Sequence, residues 1–503
     1  MQTSHVDVLI IGAGISGIGA AYHLQKHCPG KTYAIIEARN AVGGTWDLFR
    51  YPGIRSDSDM YTFGFNFKPW NSAKAISPGT EIREYVTEAA TENGIAKHIE
   101  FGHKVVEANW CSQTTRWHST LKDVKTGELQ VMTSNYFFSC GGYYNYDQGY
   151  MPEFPNQDAF TGPVIHPQHW PKDLDYAGKK VIVIGSGATA VTLVPTMAET
   201  AASVTMLQRS PTYIASRPAE DALANSLRAY LPQKLAYGIS RWKNILMGMF
   251  FFGYARKNPA KVKQMLVGEI QKNLGPDFDV EKHFSPSYKP WDQRICLVPD
   301  ADLFTAIKKG TANVVTDHIK TFTATGIELE SGEHLTADII IAATGLNAEL
   351  FSGMQLSVDD VLIEPNKKFV YKGMMLNGLP NFAFTLGYTN ASWTLKSDLV
   401  GEYVCRLINH VDSTDNDYFV PTLPAAGITE EPIMDFTSGY VLRSQDKMPR
   451  QGNVKPWKLN QNYVLDKLSL GMGSVVDDCM KFELADIAED DAEPQQEKSS
   501  AAA

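Results

Sequence analysis

The fold class the sequence predicts is α/β: two Rossmann-like units, the second interrupted by a helical insertion. Three observations predict it. Two glycine-rich turns each follow an almost wholly apolar run and precede a small-residue stretch of helical character. A long segment after the second of these changes to helical spacing, rich in Met and aromatic residues. The chain has 503 residues, more than one hydrophobic core usually organises.

The elements follow in order. Residues 6–11 (VDVLII) read as a strand buried on both faces, GAGISG follows, and residues 18–25 continue as a helix. A second strand at 32–36 ends in Glu37, twenty residues after Gly17, which completes a βαβ unit. Residues 110–139 alternate apolar and polar side chains around a Thr126-Gly127 turn, predicting an antiparallel sheet beside that unit. The grammar then returns: a strand at 179–184, GSGATA, a helix over 189–199, and a strand at 203–207 ending near Arg209. Residues 337–345 (ADIIIAATG) hold another buried strand, expected to return the chain to the first unit.

The resulting division places the first domain at 1–142 and 335–480, a linker at 143–175, and the second domain at 176–215 and 286–334. The insertion is 216–285, expected to cap a substrate cavity, and 481–503 is a polar, acid-rich tail expected to be disordered.

Composition narrows the function. Hydrophobic residues make up 44% of the chain, with 39 Gly and 26 Pro, which excludes collagen-like, wholly disordered and disulfide-scaffold classes. A formal charge of -10 argues against nucleic acid as a partner. Six cysteines (Cys28, Cys111, Cys140, Cys296, Cys405, Cys479) form no CxxC pair and no zinc spacing, so no metal is expected. The N-terminus carries Asp7 before its first apolar run and lacks a basic leader, so a cytoplasmic location is expected. No run reaches the roughly 18 apolar residues a spanning helix needs. The nearest, 245–255 (ILMGMFFFGYA), reads first as a buried core helix; a substrate-channel or membrane-surface helix is the alternative, leaving peripheral membrane contact open. Oligomeric state is not readable.

A dinucleotide pyrophosphate needs a turn whose backbone can approach closely and a helix N-terminus with free N–H groups. Gly12, Gly14 and Gly17 supply one such site, and Glu37 would accept from ribose hydroxyls while repelling a 2'-phosphate, which suits FAD or NAD. Gly185, Gly187 and Ala190 supply the second, but its strand ends in Arg209-Ser210 with no acid, which favours NADPH; a solvated surface charge is the bland alternative for Arg209. Opposite charge logic at the two sites implies FAD and NADPH, with hydride passing from nicotinamide to flavin. A redox cysteine pair to take the electrons onward is missing from both motifs, so dioxygen is the expected acceptor.

Two further stretches carry a resemblance. Residues 160–171 (FTGPVIHPQHWP) match FxGxxxHxxxWP at Phe160, Gly162, His166, Trp170 and Pro171. Residues 43–57 (GGTWDLFRYPGIRSD) match GGxWxxxxYPGxxxD through Trp46, Tyr51, Pro52, Gly53 and Asp57. With PWDQR at 290–294, ATG at 343–345 and GYTNASWTLKSDL at 387–399, the chain resembles the Baeyer–Villiger monooxygenases, class B flavoprotein monooxygenases, and within them the ethionamide-activating type. The resemblance covers nearly everything but the tail.

That resemblance implies an NADPH-dependent enzyme in which reduced FAD and dioxygen form a flavin peroxide that inserts one oxygen atom beside a ketone carbonyl, giving an ester or lactone. Dioxygen and a small apolar ketone or sulfide are the implied substrates. Arg294 matches the family's active-site arginine and Asp57 the carboxylate that holds it; an interdomain salt bridge and a loop cap are their bland readings. Gln293 stands where many members carry Lys, a departure touching rate and nucleotide preference. His166 is assigned a conformational role in the linker, against a simple packed histidine. Gly44 and its neighbour Gly43 suggest that Trp46 and Tyr51 pass close to flavin rather than serving as core aromatics. An oxygenase of thioethers, thioamides or amines is the nearest alternative; a non-catalytic NADPH sensor and a flavin reductase or oxidase lie further off.

Overall fold

The computed structural model describes residues 3–425 and 427–485. The first sheet grows from the strand Thr3–Ile11, whose residues Leu9 and Ile10 are fully buried, as expected of a run apolar on both faces. It pairs in parallel with Tyr33–Glu37 on one side and Leu129–Ser139 on the other. The helix Ile15–His27 connects the first two strands, which pair in parallel, as a βαβ crossover. Gly17 is required by that crossing: a Cβ there would lie 1.9 Å from the Gly12 carbonyl oxygen.

The antiparallel strands His103–Cys111 and Arg116–Asp123 do not form a sheet of their own. They continue the first sheet through Leu129–Ser139, whose near end pairs with Arg116–Asp123 and whose far end pairs with Phe382–Phe384. Gln355–Val358 adds in parallel to His103–Cys111. The long helix Trp393–Asp412 packs over Ile15–His27, and Tyr418–Pro421 pairs with Met480–Glu483. Residues 481–483 are therefore a strand, and the acid-rich tail begins later than expected; 486–503 lie outside the described residues.

The second sheet is wholly parallel, in the order Ala312–Thr316, Ser203–Gln208, Lys180–Ile184, Ile339–Ala342, Val164–Ile165. This corrects the expectation that 337–345 returns the chain to the first unit: Ile339–Ala342 lies between Lys180–Ile184 and Val164–Ile165. The physical reason is that a four-residue run buried on both faces suits the middle of either sheet, and periodicity carries no label for which. The return comes afterwards, at Gln355–Val358. Part of the expected linker is likewise an edge strand, Val164–Ile165.

The insertion is helical: Ala222–Tyr230, Gln233–Lys257, Pro259–Leu274 and Val280–Phe284. Its longest helix is held against the first unit by the buried Arg241, whose Nη1 donates to the carbonyls of Tyr61 (2.9 Å) and Gly64 (2.7 Å) while Nη2 pairs with Asp398 at 3.4 Å. The reading of 245–255 as a buried core helix is corrected: Leu246, Met247 and Phe250 are 53%, 55% and 75% exposed.

Candidate functional site

A cavity of about 790 Å³ runs along the carboxyl ends of the first sheet's parallel strands and reaches the second unit. Its floor is the first glycine-rich turn. Gly12 and Gly14 line it, and Ile18 N–H donates to the Gly14 carbonyl as the helix begins. Glu37 closes the strand end: its Oε2 accepts from Ala13 N–H and its Oε1 from Arg39 N–H, both at 2.8 Å. Burial pushes this carboxyl above its usual range, with the two N–H bonds opposing the rise.

Beside it, Asp47 gathers three guanidinium groups, Arg39 (2.6 Å), Arg50 and Arg83 (3.6 Å). Sequence reading missed this cluster; the only signal was an acid inside GGTWDLFR flanked by spaced arginines. Gly44 and Trp46 line the cavity, and the Trp46 ring meets Phe63 edge-on at 5.7 Å.

The stretch that follows is keyed into the second unit. Gly53 adopts φ +74°, and a Cβ there would sit 2.1 Å from Thr196 Oγ1 on the helix Ala188–Met197. Tyr51, its phenol facing Thr189 of the same helix, is pushed up to about 12 by burial. Arg55 bonds Asp302 at 2.5 Å, and its Nε and Nη2 have no protein partner although they are buried at the cavity wall.

Asp57 and Arg294 come together on this wall. Arg294 Nη1 donates to Asp57 Oδ2 at 2.9 Å. The arginine side chain is 41% accessible, and that accessibility opens on the cavity it lines. Asp57 above all, against burial, raises its already high pKa further, so it is a fixed cation. The backbone leading to it is strained: Trp291 has φ +72°, an uncommon value for a bulky residue and one tolerated mainly where surroundings impose it.

Three tyrosines near Arg294 were not singled out from the sequence. Tyr143 and Tyr144 share a hydroxyl contact at 2.5 Å, and both are raised chiefly by burial, so they stay protonated. Tyr440 acts electrostatically on the arginine as well. Tyr143 stacks on Trp393 with ring centres 5.3 Å apart, and Trp393 Nε1 donates to Ser16 Oγ at 2.7 Å, tying the 387–399 stretch to the first turn.

The second glycine-rich turn stands apart. The residues Gly185, Gly187, Ala190, Arg209 and Ser210 do not line the cavity; the adjoining Ala188, Thr189 and Thr192 do. Arg209 and Ser210 are exposed at the end of Ser203–Gln208, next to the turn, where Ser186 Oγ donates to the Ser210 carbonyl at 3.1 Å. Gly187, at the start of the helix Ala188–Met197, faces open space. Of the insertion expected to cap a substrate cavity, no residue of 216–285 lines this one.

The fingerprint residues form a joint rather than part of the cavity. Phe160 is buried against Ile182 and Leu207 of the second sheet, Gly162 lies under the Asp338 carbonyl, and Trp170 packs on that unit's core. His166 Nδ1 accepts from Gln168 N–H at 3.2 Å, which leaves the proton on Nε2, donated to the Gly345 carbonyl at 2.9 Å. Burial lowers its pKa and favours this neutral form.

Among known proteins, residues 10–75 match an NAD(P)-binding Rossmann-like domain and residues 75–388 the family described as flavin-binding monooxygenase-like. The chain is 53% identical over 482 residues to the FAD-containing monooxygenase EthA of Mycobacterium tuberculosis H37Rv, covering 96% of this chain and 98% of that one. A structure of oxidized steroid monooxygenase bound to NADP aligns with TM-score 0.77 at 22% identity, over 95% of this chain and 100% of that one. An ε-caprolactone-bound cyclohexanone monooxygenase aligns with TM-score 0.75 at 19% identity, over 96% and 100%. At those identities the two structures speak for the fold, whereas the family match and the relative at 53% speak for kinship. The chain belongs to the flavin-binding monooxygenase-like family.

Proposed function

We propose that this NADPH-dependent flavin monooxygenase inserts one oxygen atom of O2 beside a ketone carbonyl, giving an ester or lactone. The observation that carries the reading is the Asp57–Arg294 pair at the cavity wall, a permanent cation held where negative charge would develop.

The residues present fit both cofactors. For FAD, the first turn offers its helix N-terminus, Glu37 keeps lone pairs free for ribose hydroxyls, and the unpartnered Arg55 N–H groups await an anionic or polar group. For NADPH, the open space at Gly187 would receive the pyrophosphate, and exposed Arg209 and Ser210 would receive the 2'-phosphate. Bound FAD supplies oxygen activation and bound NADPH the hydride that drives it.

The chain's own residues do the rest. Arg294 stabilises anionic oxygen without giving up a proton, and Asp57 fixes the orientation of its planar fork. Neutral His166 holds the Gly345 turn, keeping the linker seated on the second sheet so that closure can exclude water. Kinship with the FAD-containing monooxygenase EthA supports the flavin monooxygenase part of this reading, and the fold shared with the lactone-bound cyclohexanone enzyme is compatible with the ketone part.

A second reading, oxygenation of thioethers, thioamides or amines, is favoured by one feature: Tyr143 and Tyr144, kept protonated by burial and lining the cavity with Arg294, can donate hydrogen bonds that favour a protonated oxidant, as transfer to a soft nucleophile requires. Mass spectrometry of products formed under isotopically labelled O2 from a linear ketone, a cyclic ketone and a sulfide decides between them. One label in an ester supports the proposal; label confined to sulfoxide replaces it with the second reading.

A further inference from the structure

The longest helix of the insertion presents an apolar face that neither the cavity nor the core uses. Along Gln233–Lys257, Leu235, Ile239, Trp242, Leu246 and Phe250 recur at three- and four-residue spacing, so they share one side. They are 52%, 42%, 39%, 53% and 75% exposed. The stripe continues onto the C-terminal region: the Trp242 ring lies 5.8 Å from Tyr463, Lys467 Nζ stands 5.6 Å over Trp242, and Leu465, Leu468 and Met472 nearby are exposed at 45%, 53% and 75%. An exposed apolar surface of this extent marks an interaction site. It is not a loosely packed element, because the opposite side of the helix is fastened through the buried Arg241 to Tyr61, Gly64 and Asp398.

The charge pattern says what it meets. From 222 to 268 the chain carries eight Lys and Arg and no Asp or Glu, in a protein whose formal charge is -10. Lys234, Lys257 and Lys261 are exposed around the stripe. Two-fold pairing with a second copy would set these cations against their own kind. The acid-rich segment 486–503 has opposite charge but one large apolar side chain, Ile487, to offer six or more exposed ones.

We propose that this face is a docking surface for an anionic lipid bilayer, lying in the interface plane with Trp242, Leu246 and Phe250 entering the acyl boundary and the lysines meeting headgroup phosphates. An amphipathic helix binds in this way when apolar area and positive charge act together. No helix among the described residues is long and apolar enough to cross a membrane, so the contact is peripheral.

The test is co-sedimentation of the flavin-loaded full chain with vesicles of phosphatidylcholine alone or mixed with phosphatidylglycerol, at low and high salt. The mixed vesicles should bind at least about tenfold better, and high salt should remove most of that gain. Leu246→Glu with Phe250→Glu should lower the partition coefficient by about tenfold or more, and the triple variant Lys234→Glu, Lys257→Glu, Lys261→Glu by about 100-fold on anionic vesicles only. These side chains are exposed, and unchanged flavin absorbance confirms folding of each variant. Equal binding to both vesicle types, or binding indifferent to the apolar pair, overturns the proposal. So does a dimer in vesicle-free solution that Phe250→Glu dissociates while the wild type ignores vesicles, since a second copy would then own the face.

Discussion

Asp57 and Arg294, 237 positions apart in the chain, meet at 2.9 Å at the cavity wall. Each comes from a different unit, so their contact depends on how the two units sit together. Removing the cation should therefore cost oxygen transfer and spare flavin binding. Arg294→Ala is expected to lower product formation by about 100- to 1000-fold while flavin content stays near stoichiometric. Arg294→Lys keeps the charge but loses the fork, and should recover only part of the rate. Single-turnover product analysis alongside the absorbance ratio of flavin to protein checks both.

Nucleotide choice should reside at the exposed end of Ser203–Gln208. Arg209→Ala is expected to raise KM for NADPH by about 10- to 100-fold, the weight of one or two charge-assisted hydrogen bonds, and to leave KM for NADH nearly unchanged. An equal loss with both nucleotides would mean that the guanidinium does not read the 2'-phosphate. Steady-state kinetics with each reductant gives the answer.

Gly53 should be intolerant of any side chain. Its φ of +74° and the 2.1 Å approach of a Cβ to Thr196 Oγ1 act together, so Gly53→Ala should destabilise by about 1–3 kcal/mol. Adding Thr196→Ala relieves the steric part and should return a fraction of the loss. A denaturation double-mutant cycle measures that coupling.

His166 makes folding sensitive to mild acid. Its pKa is lowered from 6.5 in the folded chain by burial, so below about 6.5 the unfolded chain takes up a proton that the folded one refuses. The stability due to the neutral ring is present above that value and is lost as pH falls through the folded pKa. His27, His98 and His283 are lowered for the same reason, so the wild type alone does not isolate the effect. The difference in melting temperature between wild type and His166→Gln should shrink as pH drops from 7 to 5, and a constant difference would contradict the assignment.

The glycine turns were legible because their spacing is imposed by geometry: Gly17 has no room for a Cβ, whatever surrounds the unit. Arg294, Asp57 and their pairing were legible only through motif resemblance, since contacts between units leave no periodic trace. The placement of Ile339–Ala342 was misread because a strand buried on both faces looks alike in either sheet. The Asp47 cluster and the Tyr143–Tyr144 pair went unseen because they depend on loops that fold back on the first turn. The apolar run at 245–255 reads as core or as a surface helix, since hydropathy reports composition, not which neighbour arrives to cover it.

The Tyr51–Gly53 turn lodged against Ala188–Met197 acts as a pin between the two nucleotide units. Asp57 follows that turn four residues on, so any shift that unseats the turn also drags the carboxylate away from its arginine.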